Sequence, residues 1–478
     1  MQYAPREYQH LMVDFMLRNL RCNVFASPGT GKTSASLYAF DAMRMFGEAR
    51  RALVLAPKRV AKSTWPREVQ KWSTMSHISV AAAIGTEQQR IEALKREAMV
   101  TTINYENLEW LMEVLGDYWP FDTVFADEST RLKGLRIALM TSKTGKEFSR
   151  GQGSTRAKAL SKVAHTKVRR WVNLTGSPAP NGVIDTWGQQ WFIDAGISLG
   201  RSFTAFSERF FTSVRNSDGY HQWKPNSTAQ KFIEELLKPY SITIDARDWF
   251  DIKEPIESQV KIELPPKARR IYDDMEEQFF AELLSGKPIE VFTSGSRAQK
   301  LLQIANGTVF SDTKTREWEV VHDEKIEALK SVVEEFNGEQ ILTRYTHVPD
   351  RERILKAFPR ARFLDDNPKT EDAWNEGKIP MLVTHAASAG HGLNLQHGGR
   401  VLCDYSQGYN YEEDEQIIER LGPTRQAQSG YNREVYRRRL VAEDTIEEHS
   451  VLPNLKFKMG VQESLKNAYR IRRGVQLL

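Results

Sequence analysis

The stretch Ala26-Ser27-Pro28-Gly29-Thr30-Gly31-Lys32-Thr33 decides how this chain is read. An apolar run at residues 23–26 leads into it, and a helix-forming run at residues 34–45 leads out. Glycines in the turn let backbone N–H groups point inward, and the following helix N-terminus adds partial positive charge. A strand–turn–helix of this composition is suited to cradling phosphates. In such a loop Pro28, Gly29, Thr30 and Gly31 wrap the phosphates of a nucleoside triphosphate. Lys32 reaches the β- and γ-phosphates, and the Thr33 hydroxyl takes Mg²⁺. The first glycine of the usual pattern is replaced by Ala26.

Roughly ninety residues downstream, Phe121-Asp122-Thr123-Val124-Phe125-Ala126-Asp127-Glu128 is an apolar strand ending in two acids. Beside a phosphate loop, that position supplies Asp127 to Mg²⁺ and Glu128 to orient and deprotonate the attacking water. Leu174-Thr175-Gly176-Ser177-Pro178 ends another strand with hydroxyls that can bond the acidic pair. In the second half, residues 384–395 are small and polar enough for backbone contact with phosphates. Arg420 and Arg425 follow in Gln416-Ile417-Ile418-Glu419-Arg420 and Arg425-Gln426-Ala427-Gln428. Alone they read as surface helix charges; facing a nucleotide, they would stabilise transition-state charge.

Around these motifs, short apolar strands alternate with helical runs. Strands are predicted at residues 23–26, 52–56, 99–103, 123–126 and 171–174, and again at 340–343, 381–384 and 400–404. This alternation argues for parallel sheets with ligands at the strand C-terminal ends. Between them lies an aromatic-rich, partly helical region over residues 185–320. Its aromatics are expected in the core rather than as base-stacking platforms.

The chain has 478 residues, enough for two or three domains, with 40% hydrophobic and 27% charged residues as in ordinary globular proteins. No signal peptide and no apolar run approaching ~18 residues is visible, which predicts no membrane association. Cys22 and Cys403 lack metal-site spacing. A reducing cytoplasm without structural zinc is expected. The net charge of +5 is mild, but residues 131–170 carry twelve Lys/Arg against one acid, Glu147. The Ser/Thr/Gly-rich span 141–155 within it is expected to be a mobile, phosphate-seeking loop. A second basic cluster is Arg433, Arg437, Arg438 and Arg439. A third, Lys466, Arg470, Arg472 and Arg473, reads as a solvated tail helix.

In this order the segments resemble the motor of helicase superfamily 2, specifically its Snf2-like branch, from about Tyr3 to Glu448. Arg6-Glu7-Tyr8-Gln9 is similar to the adenine-reading glutamine motif, residues 26–33 to motif I, and Leu55-Ala56-Pro57-Lys58 to motif Ia. Asp127-Glu128-Ser129-Thr130 is similar to motif II, with Ser-Thr where the family has Ala-His or Gly-His, and residues 174–178 to motif III. Leu342-Thr343-Arg344-Tyr345 falls at motif IV, residues 388–395 at motif V and 416–428 at motif VI, with two added residues near Gly422-Pro423. Gln303-Ile304-Ala305-Asn306-Gly307, His322-Asp323-Glu324-Lys325 and residues 390–396 look like those of compact bacteriophage-encoded Snf2-like helicases.

The resemblance implies an α/β fold of two RecA-like parallel-sheet lobes with helical, aromatic-rich insertions. The first lobe would span residues 1–245, the second 246–450, and a basic tail 451–478. It implies ATP and Mg²⁺, with Gln9 on adenine, Gly392 near the nucleotide, and Lys58, Arg59, Arg344, Ser388 and Asn394 toward nucleic acid. The expected activity is ATP-driven movement along duplex, forked or branched DNA. The setting would be the cytoplasm, that of a bacterial host if the chain is phage-encoded, with replication or recombination proteins as partners and no membrane. An RNA helicase and an ATP-gated DNA-binding scaffold remain the alternatives.

Overall fold

The computed structural model describes residues 2–141, 147–215, 221–284, 294–312, 317–365, 367–385, 387 and 393–470. The chain divides into two compact units. One comprises Met1–Val214, Gln222–Trp249 and Met459–Leu478; the other comprises Arg215–His221 and Phe250–Lys458.

The first unit holds β1 (Arg21–Ala26), β2 (Ala52–Ala56), β3 (Val80–Ala82), β4 (Val100–Asn104), β5 (Thr123–Asp127), β6 (Leu135–Thr141), β7 (Glu147–Gly153), β8 (Arg170–Thr175) and β11 (Ser241–Ile244), with β9 (Phe211–Arg215) and β10 (His221–Pro225) forming a small ribbon. Seven strands make one parallel sheet in the order β11-β1-β8-β5-β2-β4-β3. Parallel sheets are covered on both faces, so their strands read as continuous apolar runs. The Ala-Leu-Val-Leu-Ala of β2 is buried throughout for this reason. The order makes β1, β8 and β5 neighbours, so the loops after Ala26, Thr175 and Asp127 leave one edge of the sheet side by side.

The aromatics Trp187, Phe192, Phe206, Phe210 and Phe211 are buried in this unit's core. The span expected to be a mobile loop is instead largely an antiparallel hairpin, with β6 and β7 in register from Leu135↔Gly153 to Thr141↔Glu147. Ser, Thr and Gly dominate residues 141–155, so the second strand lacks the apolar alternation that Leu135, Ile137 and Leu139 give the first. Residues 142–146 lie outside the described set. The expected separate tail is also corrected. From Met459 the chain belongs to the first unit: Leu465 and Tyr469 join its core, and Thr243 N–H on β11 donates to Tyr469 O at 2.8 Å. Arg470 is held by Asp248 at 2.6 and 2.8 Å rather than left to solvent, while Arg472 and Arg473 lie outside the described residues.

The second unit holds β12 (Ile256–Ile262), β13 (Thr308–Asp312), β14 (Glu317–Val320), β15 (Ile341–Tyr345), β16 (Arg362–Phe363), β17 (Met381–His385), β18 (Val401–Asp404) and β19 (Tyr436–Ala442). Six make a second parallel sheet, β12-β19-β18-β15-β17-β16. The chain is therefore α/β with two parallel sheets. Here the expectation that Arg344 faces nucleic acid fails. Arg344 pairs with Asp404 across β15 and β18, and Asp404 with Arg439 across β18 and β19, in one row over the sheet. All three are buried, with Arg437 and Asp414 beside them. Three arginines of the second basic cluster neutralise acids: Arg437 and Arg439 bond Asp404 and Asp414, and Arg438 bonds Glu335, while Arg433 donates to Gln426 Oε1 and Gln396 O. No helix among the described residues is long and apolar enough to cross a membrane.

Candidate functional site

The loop after β1 takes its shape from two glycines in the left-handed region, Gly29 at φ 81° and Gly31 at φ 78°. Gly31 caps the helix Lys32–Met45, and a Cβ there would come within 2.3 Å of Gln9 Nε2. Gln9 explains the crowding. Its Nε2 donates to Thr30 O at 3.1 Å, while its Oε1 accepts from Arg6 N–H at 2.9 Å and from the Tyr3 hydroxyl at 3.2 Å. The amide is thus locked against the phosphate loop. Ser27 is fixed from the other side, its N–H donating to Ile244 O and its hydroxyl accepting from Ala246 N–H. Lys32 Nζ donates to Ala26 O at 2.7 Å, and Thr33 is half-buried at the first helical turn.

Two strands away, β5 ends at Asp127, and Glu128 follows it. Asp127 is buried, and its Oδ2 accepts from Trp65 Nε1 at 2.9 Å, while its backbone oxygen accepts from the Tyr105 hydroxyl. Burial pushes the Asp127 carboxyl above its ordinary range; the Trp65 bond and the Lys32 ammonium pull the other way. Glu128 sits at φ 59°, a left-handed conformation uncommon for a side-chain-bearing residue. Between the loops lies the end of β8. Thr175 Oγ1 donates to Glu128 Oε2 at 3.3 Å and accepts from Ser177 N–H at 3.0 Å. A Cβ at Gly176 would lie 3.4 Å from Pro28 Cδ and 3.5 Å from Ala26 O. Three segments widely spaced in sequence therefore converge, as the motif order requires.

Lys58 and Arg59 follow β2 at the same edge; Lys58 is exposed and lines a cavity of about 470 Å³ with Lys62, Gln89, Glu92 and Arg96. In the second unit Arg425 Nη1 donates to Asn394 Oδ1, joining two residues expected to serve different ligands. Arg420 is buried near the end of the helix Tyr411–Leu421. The two added residues are a helix break: the first helix stops at Leu421, and Pro423 starts the next, Pro423–Gln428. Ser388 and Gly392 lie outside the described residues. Arg344 is removed from the nucleic-acid set, because its guanidinium is spent on Asp414 at 2.5 Å and Asp404 at 3.4 Å. Sequence reading missed Trp65 and Tyr105. Neither neighbours Asp127 in the chain, and no spacing rule links an indole to a carboxylate 62 positions away.

Residues 8–319 match the SNF2-related domain family. A protein designated p41 from Acyrthosiphon pisum secondary endosymbiont phage 1 is 46% identical over 471 residues, covering 98% of this chain and 99% of that one. The chain belongs to the SNF2-related family. The expected resemblance is thereby met, including its phage relative. Among solved structures, the Sulfolobus solfataricus SWI2/SNF2 ATPase core in complex with dsDNA is 19% identical with TM-score 0.43, covering 98% of this chain and 94% of that one. The same organism's core domain without that description of DNA is 18% identical with TM-score 0.40, covering 97% and 90%. Family membership carries ATP hydrolysis and DNA-related motor activity at the level of the family.

Proposed function

We propose that this chain is a DNA-dependent ATPase that moves along duplex DNA and remodels forked or branched DNA. The observation supporting it most is the meeting of Lys32, Asp127, Glu128 and Thr175 at adjacent strand ends, with the Lys32 charge acting on Asp127. ATP is the substrate, with its base at Gln9 and its phosphates along residues 28–33. The donor set suits Mg²⁺, a hard cation that takes oxygen ligands: Thr33 offers a hydroxyl and Asp127 a desolvated carboxylate. Bound Mg²⁺ neutralises charge on the β- and γ-phosphates.

Glu128 orients the attacking water and takes its proton, and Thr175 steers the Glu128 carboxylate. Arg420 and Arg425 are the proposed transition-state arginines, and Gly392 a nucleotide contact. Lys58, Arg59, Ser388 and Asn394 hold the nucleic-acid backbone, so affinity should depend steeply on salt and little on sequence. Two buried, unpaired cysteines and a phage relative support a bacterial host cytoplasm, alongside replication or recombination proteins.

The test is ATP turnover with single-stranded, duplex, forked and four-way DNA, and with RNA, for wild type and Lys32→Ala. DNA should stimulate the wild type, RNA should not, and Lys32→Ala should abolish turnover while sparing DNA binding in low salt. Stimulation by RNA alone would make the chain an RNA helicase. A wild type as inert as Glu128→Gln would make it a scaffold. Turnover retained in Lys32→Ala would place the phosphate site elsewhere.

A further inference from the structure

The helix Thr186–Asp194, Thr-Trp-Gly-Gln-Gln-Trp-Phe-Ile-Asp, buries two adjacent glutamines in the first unit: Gln189 is 4% exposed and Gln190 1%. A primary amide taken out of water costs free energy unless its donors and acceptor are met. The two residues meet that demand differently. Gln190 Nε2 donates to Asp194 Oδ2 at 2.9 Å, one turn along the same helix, and its Oε1 accepts from Asn23 Nδ2 at 2.9 Å. Gln189 turns toward the site. Its Oε1 accepts from Ser129 Oγ at 2.8 Å, and its Nε2 donates to Pro178 O at 2.7 Å and to Asp185 O at 3.1 Å.

Ser129 directly follows Glu128, and Pro178 lies shortly beyond Thr175. Ser177 N–H donates to Thr175 Oγ1 at 3.0 Å, and Thr175 Oγ1 donates to Glu128 Oε2 at 3.3 Å. The contacts close a ring that runs from Glu128 through Ser129, Gln189, Pro178, Ser177 and Thr175 back to Glu128. Ser129, Thr175 and Ser177 are buried, so little water competes for these bonds. Gln189 is itself anchored. Asn173 on β8 donates from Nδ2 to Gln189 O at 3.1 Å, and a Cβ on Gly188 would meet Lys133 O at 2.6 Å, so the helix lies directly on the chain that follows Ser129. Glu128 sits at φ 59°. A left-handed backbone at such a residue costs energy and persists only where its surroundings fix it. Here the Tyr105 hydroxyl bonds Asp127 O on one side, and Gln189 holds Ser129 on the other.

We infer that Gln189 is a positioning residue for ATP hydrolysis: by holding both segments at once, it sets the Thr175 hydroxyl against the Glu128 carboxylate. This rests on the reading of Glu128 as the group that takes the proton of the attacking water, and it names what aims that group. Gln189 acts only through Ser129 and the loop after Thr175. Its loss should therefore slow turnover of bound ATP and leave ATP binding alone.

The experiment measures ATP turnover by the full chain on duplex DNA, with urea unfolding of each variant alongside. Gln189→Met keeps an unbranched side chain of similar shape and removes all three bonds. Ser129→Ala removes a single oxygen, so it decides the matter if Gln189→Met does not fold. Gln190→Met is the control: the same change at the neighbouring buried glutamine, which bonds neither segment. Gln189→Met should lower kcat about tenfold or more, and Ser129→Ala should lower it in the same direction, with KM for ATP within about twofold in both. The double variant should be no slower than Gln189→Met alone, because both changes cut one ring. Gln190→Met should lose stability to urea yet keep kcat within about twofold. An unchanged kcat in Gln189→Met and Ser129→Ala, an equal loss in Gln190→Met, or losses that multiply in the double variant would overturn the assignment. Those results beside an active wild type leave the ATPase reading standing, whereas a wild type without turnover sinks both.

Discussion

Replacing Asp414 by Asn tests whether the arginine row of the second unit is a structural ion cluster or a nucleic-acid surface. Asp414 accepts from Arg344 at 2.5 Å, from Arg437 at 2.7 Å, and from Arg439 at 3.0 and 2.9 Å. Asp404 takes Arg437 at 2.6 Å. Within this buried group three guanidiniums face two carboxylates, with Glu257 at the rim. Burial alone would raise the Asp414 carboxyl, but Arg437, Arg439 and Arg344 outweigh it and hold it well below its ordinary value. Asn removes the charge, keeps one acceptor oxygen, and turns an amide NH₂ toward a guanidinium. Breaking one partner of a buried ion pair costs about 3–5 kcal/mol, because the remaining charges stay desolvated. Four bonds from three arginines put Asp414→Asn at the upper end.

Urea unfolding of the full chain reads this loss. The double variant Asp414→Asn/Arg439→Gln should recover at least 1 kcal/mol relative to the sum of the singles, since each removal excuses the other. The sign of the pH dependence follows from the depressed carboxyl. Asp414's contribution is fully present above its unfolded value near pH 4 and is lost only as pH falls through the lower folded value. The wild-type minus variant difference should therefore be flat from pH 5 to 8. A loss under 1 kcal/mol, or strict additivity in the double variant, would refute the cluster. So would Arg344→Gln if it weakened DNA binding without destabilising the fold. The helix Tyr411–Leu421 carries both Asp414 and Arg420, so a loosened cluster should also lower ATP turnover.

Trp65→Phe removes one N–H and little volume; the hydrogen bond it makes to the Asp127 carboxylate is worth about 1.5–3 kcal/mol. Half-saturating Mg²⁺ for ATP turnover should rise about tenfold, and an unchanged Mg²⁺ curve would show that Trp65 only packs. His322 is held neutral, its Nε2 on Ile304 O at 2.9 Å and its Nδ1 accepting from Glu324 N–H at 3.3 Å. Burial, with Lys325 and Arg353 nearby, lowers it to about 4. Its folded value lies below the unfolded one, so stability falls as pH drops from about 6.5 to about 4, by roughly 3 kcal/mol. His322→Gln should flatten that limb in urea titrations at stepped pH, and identical wild-type and variant slopes would exclude the assignment.

What was legible in the sequence follows from how local its cause is. The phosphate loop declares itself within eight residues, because glycine, lysine and a helix start must adjoin for the backbone to wrap phosphates. The central strands declare themselves because burial on both faces permits little but apolar side chains. β11 did not, because four residues, Ser-Ile-Thr-Ile, are too few for a pattern. Trp65 was illegible as a positioning group because its bond to Asp127 exists only once β2 and β5 pair.

The basic clusters show the harder limit. Counting cations marks residues 433–439 and 131–170 alike as basic, yet burial separates them. In β19 the arginines alternate into the protein, and Arg437 and Arg439 meet the acids of β18 and the helix Tyr411–Leu421. A sequence count registers sign but not the partner brought from elsewhere. In the hairpin, alternation carries Leu135 and Ile137 inward at the root and leaves Leu139 exposed beyond it, while Arg150 on β7 and Lys158 and Lys162 on the following helix stay in solvent. Charge that meets buried acids builds the fold, and charge that stays in water beside exposed apolar side chains is available to a polyanion. That difference makes the hairpin, and not the richer arginine strand, the place to look for contact with DNA.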